Sequence, residues 1–285
     1  MKKNNLVLPI LKWVGGKRQL LPEIKKYLPE SFTTYYEPFV GGGALLMELQ
    51  PKKAVVSDLN KELIDLYKVV KFNVDDLIDE LSNEEKYANT AEKYYDLRAL
   101  DRKIEEYNRL SNIQKAARVI YLNKTCYNGL YRVNSAGEFN SPFGSYKNPC
   151  ILNKPTLKAV SNYFNTADIT FKNEDFASAL KGIKKGAFVY FDPPYAPISS
   201  TSNFTGYNES GFGIEEQIRL KELCDKLTEK NVKFLLSNSD CEFIRDLYKS
   251  YEIIEVKAKR SVNSKADSRG EIGEVLIRNY GEIKK

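Results

Sequence analysis

Histidine is absent from all 285 residues. That excludes Ser-His-Asp hydrolysis, histidine metal triads and imidazole acid–base catalysis together. Cysteine is scarce: Cys126, Cys150, Cys224 and Cys241 are scattered, with no Cys-x-x-Cys pair. Neither a zinc site nor a disulfide framework is indicated, and isolated thiols suit a reducing cytoplasm. No apolar run approaches the roughly 18 residues that a membrane-crossing helix needs. The N-terminal stretch lacks a small-residue cleavage site and turns charged at once, so no signal peptide is expected. Compositional extremes are missing too: 42% hydrophobic and 29% charged residues describe an ordinary globular chain. The length suits one large domain or two unequal ones.

The net charge of +6 is unevenly spread. Residues 61–106 carry 8 basic and 13 acidic groups, residues 107–153 carry 6 and 1, and residues 257–269 carry 5 and 1. Two concentrated basic segments suggest a polyanionic partner; a solvated charged face is the plain alternative.

Short apolar runs at 35–39, 54–57, 169–171, 187–191, 233–237, 252–256 and 274–278 read as strands. Stretches long enough for a helix separate most of them, among them Gly43–Leu49 and Gly213–Lys230. This alternation predicts an α/β fold with a mostly parallel sheet covered on both faces. From about 61 to 153 the rhythm changes. Leu63, Leu66, Tyr67 and Val70 recur at helical spacing, as do Ala116, Ala117, Ile120 and Tyr121. A turn-rich segment follows, starting at Tyr127-Asn128-Gly129. The expected organisation is a discontinuous catalytic domain, 1–60 with 154–285, interrupted by a mostly helical insertion, 61–153, with a hairpin around 127–147.

Three short motifs carry chemistry. Phe39-Val40-Gly41-Gly42-Gly43 sets glycines between a strand and a helix, where the backbone turns sharply and approaches a ligand. The spacing is not Gly-x-Gly-x-x-Gly, so the pyrophosphate fingerprint fails. Asp58 ends the next strand, where an acid can accept both hydroxyls of a ribose. Lys12-Trp13-Val14-Gly15-Gly16-Lys17 contains Gly-Lys but has Leu11 and Arg18 where a phosphate-binding loop needs Gly and Ser/Thr. The sharpest signal is Asp192-Pro193-Pro194-Tyr195, directly after an apolar strand. Two prolines fix the backbone and remove two donors, leaving carbonyls as acceptors. The carboxylate adds an acceptor and the tyrosine a flat face, a grip suited to a planar amine and its ring.

Taken in chain order, Lys12–Lys17, then Phe39–Gly43, then the turn-rich segment from Tyr127, then Asp192–Tyr195, these motifs resemble, over almost the whole chain, the Dam family of GATC-specific DNA adenine-N6 methyltransferases. The likeness is greatest to the form paired with GATC-cleaving restriction systems. Tyr127-Asn128-Gly129-Leu130-Tyr131-Arg132 and Gly137-Glu138-Phe139-Asn140-Ser141-Pro142-Phe143-Gly144 resemble the family's target-reading hairpin. The resemblance implies a Rossmann-like methyltransferase sheet, S-adenosyl-L-methionine as methyl donor, S-adenosyl-L-homocysteine as product, and no metal. It implies that Trp13, Lys17, Asp58 and Asp192 contact the cofactor, and that Phe39, Gly41 and Gly43 shape its pocket. Asp175 and Phe176 stand beside its adenine. Lys12, Tyr127, Asn128, Leu130, Arg132 and Pro142 fall at DNA-reading positions.

Asp192 and the Pro193 carbonyl are expected to hold the N6 amine, with Tyr195 stacked on the flipped base. Lys259 and Arg260, in the second basic tract, suit phosphates. The polar segment Ser199–Gly213 is expected to order on DNA. The partners expected are double-stranded DNA and a cognate restriction endonuclease acting on the same sites without a stable complex; a monomer without membrane attachment is expected. An RNA adenine methyltransferase and a catalytically silent DNA-binding relative are the alternatives.

Overall fold

The computed structural model describes residues 3–13, 15–197, 212–258 and 272–281. The seven apolar runs form strands β1 (Tyr35–Glu37), β2 (Lys53–Ser57), β3 (Asp168–Lys172), β4 (Phe188–Phe191), β5 (Lys233–Ser239), β6 (Glu252–Ala258) and β7 (Ile272–Arg278). They join one sheet in the order β3-β2-β1-β4-β5-β7-β6. β1 runs parallel to β2 and β4, and β4 runs parallel to β5. β7 inserts antiparallel between β5 and β6. All four residues of β4 are buried, as a strand covered on both faces requires. The strand order reverses between β1 and β4, so their carboxyl ends, at Phe39 and Asp192, open on the edge where ligands of such sheets bind.

The chain divides into two compact units. One comprises Met1–Gly16, Val40–Lys52 and Ser57–Asn173. Its centre is the helix Lys61–Phe72, which packs on the helices Asn112–Thr125 and Lys154–Thr166. The residues read at helical spacing, Leu63, Leu66, Tyr67 and Val70, are buried, as are Ala116, Ala117, Ile120 and Tyr121. Asn60 caps the first helix, and Ser111 with Gln114 forms a capping box on the second.

The other unit comprises Lys17–Phe39, Lys53–Val56 and Glu174–Lys285. Phe191, Phe234, Leu236, Val275 and Ile277 from the sheet pack with Leu220, Cys224 and Leu227 of the helix Ile214–Glu229 and with Ile244 and Tyr248. Among the described residues no helix is long and apolar enough to cross a membrane.

Candidate active site and nucleic-acid interface

The tetrapeptide Asp192–Tyr195 leaves the end of β4 with its backbone pinned. Gln217 Nε2 donates to the Pro194 carbonyl at 2.9 Å, and Ala196 N–H donates to Asn238 Oδ1 at 3.0 Å. Asn238 in turn donates to Gln217 Oε1 at 3.1 Å. The Pro194 carbonyl thus accepts from Gln217, and the Pro193 carbonyl adjoins Asp192 in the chain. Lys17, 8% exposed, places Nζ 2.7 Å from Asp192 Oδ1 and 4.6 Å from the centre of the Tyr195 ring. The Tyr195 hydroxyl donates to Glu274 Oε2 at 2.9 Å. Burial pushes the Asp192 carboxyl above its ordinary range, and the Glu274 charge adds to that; the Lys17 ammonium opposes both. Burial and the Asp192 and Glu274 charges hold the Tyr195 phenol neutral well past its ordinary range.

Lys17 is therefore found on Asp192 and Tyr195, a pairing its position ahead of the first strand did not suggest. Glu274 was missed altogether. Its signal was present: a lone acid in the apolar run Gly273-Glu274-Val275-Leu276-Ile277, opposite Ser239 at the carboxyl end of β5.

In the same unit, Phe39 and Phe176 stack at 5.4 Å between centroids, and Phe212 meets Phe39 edge-on at 5.6 Å. Arg219 lies 4.5 Å over the Phe176 ring and donates to Asp175 Oδ2 at 3.0 Å. Asp175 also caps its short helix by accepting from Ala177 N–H at 3.0 Å. Burial works to raise the Asp175 carboxyl, but the Arg219 guanidinium and the helix N–H groups keep it below the usual range.

The glycine loop and Asp58 lie together in the other unit. Val40 N–H donates to the Ser57 carbonyl at 2.9 Å, docking the loop on the residue before Asp58. Gly41 N–H donates to Asp58 Oδ2 at 3.0 Å, and Asn60 N–H donates to Oδ1 at 2.9 Å. Gly41 takes φ +46°, and a Cβ there would come 2.8 Å from the Trp13 indole, so only glycine fits. Burial raises the Asp58 carboxyl above its ordinary range, opposed by the N–H groups of Asn60, Gly41 and Leu59. A carboxylate accepts at about four lone-pair positions, so Asp58 keeps acceptor capacity beyond these backbone donors. That capacity fits a vicinal pair of hydroxyls.

The segment 127–147 departs from a regular hairpin ladder. Only two isolated bridges pair its backbone among the described residues, Cys126 with Phe143 and Val133 with Phe139. Side chains and single backbone bonds hold it instead. Tyr127 N–H donates to the Pro142 carbonyl at 2.8 Å, Asn140 N–H to the Arg132 carbonyl at 2.9 Å, and the Ser141 hydroxyl to the Leu130 carbonyl at 2.5 Å. Arg118, 1% exposed, pairs with Asp101 at 2.7 Å, and Asp101 accepts from Phe139 N–H at 2.8 Å. The predicted DNA readers fall on this frame. Tyr127 is 58% exposed, Asn128 takes φ +57°, and the exposed Arg132 donates from Nε to Asn140 Oδ1 at 3.0 Å. Lys12 N–H donates to Asn123 Oδ1 at 2.9 Å, and Asn123 returns a bond to the Lys12 carbonyl at 2.8 Å. Lys259 and Arg260 lie outside the described residues, as does most of Ser199–Gly213.

An α/β sheet, an acid followed by two prolines at the end of β4, and a glycine loop bonded to an acid mark an α/β protein. Comparison with known proteins narrows this. A profile described as "D12 class N6 adenine-specific DNA methyltransferase" matches residues 13–262. The type II methyltransferase M1.LlaDCHI of Lactococcus lactis subsp. cremoris is 45% identical over 282 residues, covering 99% of each chain. The type II methyltransferase M.MjaIII of Methanocaldococcus jannaschii is 44% identical over 295 aligned positions, covering 96% of this chain and 99% of that one. The DNA adenine methylase of Escherichia coli K12 is 36% identical over 280, covering 97% and 95%. The chain belongs to the D12-class N6-adenine DNA methyltransferases. It is a transferase that acts on DNA, and its sheet is the Rossmann-like sheet of such enzymes.

Proposed function

We propose that the protein methylates N6 of a flipped-out adenine within GATC in double-stranded DNA, using S-adenosyl-L-methionine. The observation that carries the chemistry is the Asp192 carboxylate beside the Pro193 carbonyl, with Lys17 and Tyr195 fixed around it. The GATC target rests on the likeness of residues 127–147 to the Dam hairpin.

S-adenosyl-L-methionine supplies an electrophilic methyl group, and S-adenosyl-L-homocysteine is left. Asp58 accepts the ribose hydroxyls, Gly41 and Gly43 let the backbone close on the ligand, and Trp13, Phe39 and Phe176 provide apolar walls. Asp175 stands near the cofactor's adenine. No metal takes part.

The N6 amine is a weak nucleophile because its lone pair is delocalised into the purine ring. Asp192 and the Pro193 carbonyl accept its two hydrogens, which favours a pyramidal nitrogen with a localised pair. Nitrogen would gain a bond to the methyl carbon as the donor's carbon–sulfur bond breaks, and would then lose a proton, for which Asp192 is the adjacent acceptor. Holding the partners in line supplies much of the remaining acceleration. Tyr195 stacks on the extruded base, whose unstacking costs a few kcal/mol. Tyr127 and Asn128 edge the vacated space, Leu130 and Pro142 pack on the duplex, and Arg132 reads guanine O6 and N7. Lys12, Lys259 and Arg260 contact DNA, the last two at phosphates.

The segments 1–60 and 154–285 carry catalysis in this reading, and 61–153 carries target recognition; compactness divides the chain at other points. The protein works as a cytoplasmic monomer, alongside an endonuclease that cuts the same sites without a stable complex. The test is to expose adenine-unmethylated DNA to the purified protein and S-adenosyl-L-methionine, then sequence the methylated adenines. N6-methyladenine confined to GATC is expected; methylation of another site would overturn the target, and none would overturn the chemistry.

A further inference from the structure

Tyr131 stands directly before Arg132 in the target-reading segment, yet its contacts lead to the glycine loop. Its ring stacks on Trp13 with centroids 4.6 Å apart and planes 21° apart. Trp13 in turn fills the space that a Cβ on Gly41 would need. The Tyr131 hydroxyl donates to Glu62 Oε2 at 2.8 Å. Glu62 sits in the first turn of the helix that Asn60 caps, and Asn60 N–H donates to Asp58. Asp58 closes the circuit by accepting from Gly41 N–H. The contacts therefore run in a ring through Gly41, Trp13, Tyr131, Glu62, Asn60 and Asp58.

On its far side Tyr131 holds the hairpin. Phe139 meets its ring edge-on at 5.4 Å, and Phe139 N–H is bonded to Asp101, the partner of buried Arg118. Arg118 also lies 3.6 Å from Glu62, which accepts the Tyr107 hydroxyl as well. A ligand that moves the Trp13 indole must move the Tyr131 ring or lose the stack. A duplex that moves the hairpin meets the same constraint from the other end.

We propose that Tyr131 is a positioning residue that couples cofactor binding at Trp13 and Asp58 to the placement of Arg132 on the target sequence. This rests on the cofactor role of Trp13 and the DNA role of residues 127–147 proposed above. Coupling between two binding equilibria is reciprocal, so cognate DNA tightens cofactor binding by the factor by which cofactor tightens DNA binding.

Trp13 is the only tryptophan in the chain, so its emission reports the stack directly. The experiment titrates the full-length protein with S-adenosyl-L-homocysteine, alone and with a GATC duplex, by calorimetry and tryptophan emission. The wild type is expected to bind S-adenosyl-L-homocysteine about fivefold or more tightly with the duplex, within the usual range of such couplings. Tyr131→Phe keeps the stack on Trp13 and loses the bond to Glu62, and is expected to keep most of the coupling, the part carried by the stack. Tyr131→Leu removes the ring; its coupling factor is expected to fall to about one, and the DNA-induced change in Trp13 emission to vanish. If Tyr131→Leu does not fold by circular dichroism, Tyr131→Met is judged by the same criterion. Full coupling in the non-aromatic variant, or none in the wild type, overturns the inference while the functional reading stands. Failure of the wild type to bind S-adenosyl-L-homocysteine overturns both.

Discussion

Replacing Asp192 with Ala separates the chemistry of the site from its affinity for DNA. In the proposed mechanism the carboxylate makes a charge-assisted bond to an amine that becomes cationic as the methyl group arrives. One such bond contributes about 1.5–3 kcal/mol. A carboxylate about 4 Å from the developing positive charge adds up to about 4 kcal/mol at an effective dielectric near 20. Lys17, 2.7 Å from the same carboxylate, cancels part of that second contribution. The net loss of transition-state stabilisation then lies between about 2 and 6 kcal/mol, a rate reduction of about 30-fold to more than 10⁴-fold. DNA affinity should change far less, because the hairpin's contacts do not involve Asp192. The assay is single-turnover methyl transfer from labelled S-adenosyl-L-methionine to a GATC duplex, with binding measured in parallel. Turnover above about a tenth of wild type, a loss of less than about 1.4 kcal/mol, refutes the role given to Asp192.

Asp58→Ala should weaken S-adenosyl-L-methionine binding and leave binary DNA affinity nearly unchanged; an unaltered dissociation constant in calorimetry removes Asp58 from the pocket. Lys17→Met withdraws the charge that opposes the upward shift of Asp192, so the acid limb of kcat/KM should move to higher pH, and a downward move contradicts the pairing. Arg132→Ala should cost about 1–3 kcal/mol at GATC and relax discrimination at one base pair. Lys259→Ala should weaken all duplexes alike and lower the salt slope by about one. A panel of singly substituted GATC duplexes at several salt concentrations separates the two, and a uniform loss from Arg132→Ala makes it a phosphate contact or a structural residue.

The sheet was legible because its strands are short apolar runs bounded by helical stretches. All seven appear within two residues of their expected bounds. Their order at the far edge was not legible, since β6 and β7 are equally apolar and nothing local says that β7 inserts antiparallel beside β5. The placement of Asp58 and Asp192 was readable because each directly follows an apolar run that forms a strand. Glu274 and Arg118 were not, because their partners lie far along the chain: Tyr195 is 79 residues from Glu274, and Arg118 reaches the carbonyl of Leu97. The hairpin was read from turn residues, but its Phe139 N–H is bonded to Asp101, the ion-pair partner of the buried Arg118 in a helical frame. Burying such a pair costs desolvation and places a single arrangement in the core. No local pattern announces that choice.

In the proposed mechanism Asp192 is the acceptor nearest the surplus proton of the methylated amine, and it shares its response to burial with Asp58 at the ribose position. Asp192 and Asp58 both sit above the ordinary carboxylate range, chiefly through desolvation. For such groups the folded state binds the proton more tightly than the unfolded chain does. Their contribution to stability is fully present below the unfolded pKa and is lost as pH rises through the folded value. In the proposed mechanism activity moves the other way, because the ionised Asp192 is the stronger acceptor for the amine. Burial makes Asp192 a better proton acceptor than an exposed aspartate, and the Lys17 ammonium opposes that shift in favour of the ionised form. Glu274, tied to Tyr195, adds a second negative charge, so Lys17, Asp192 and Glu274 together carry a net charge of about −1 when all are ionised. In the proposed mechanism that sign favours an amine gaining positive charge, even with the Lys17 ammonium beside Asp192.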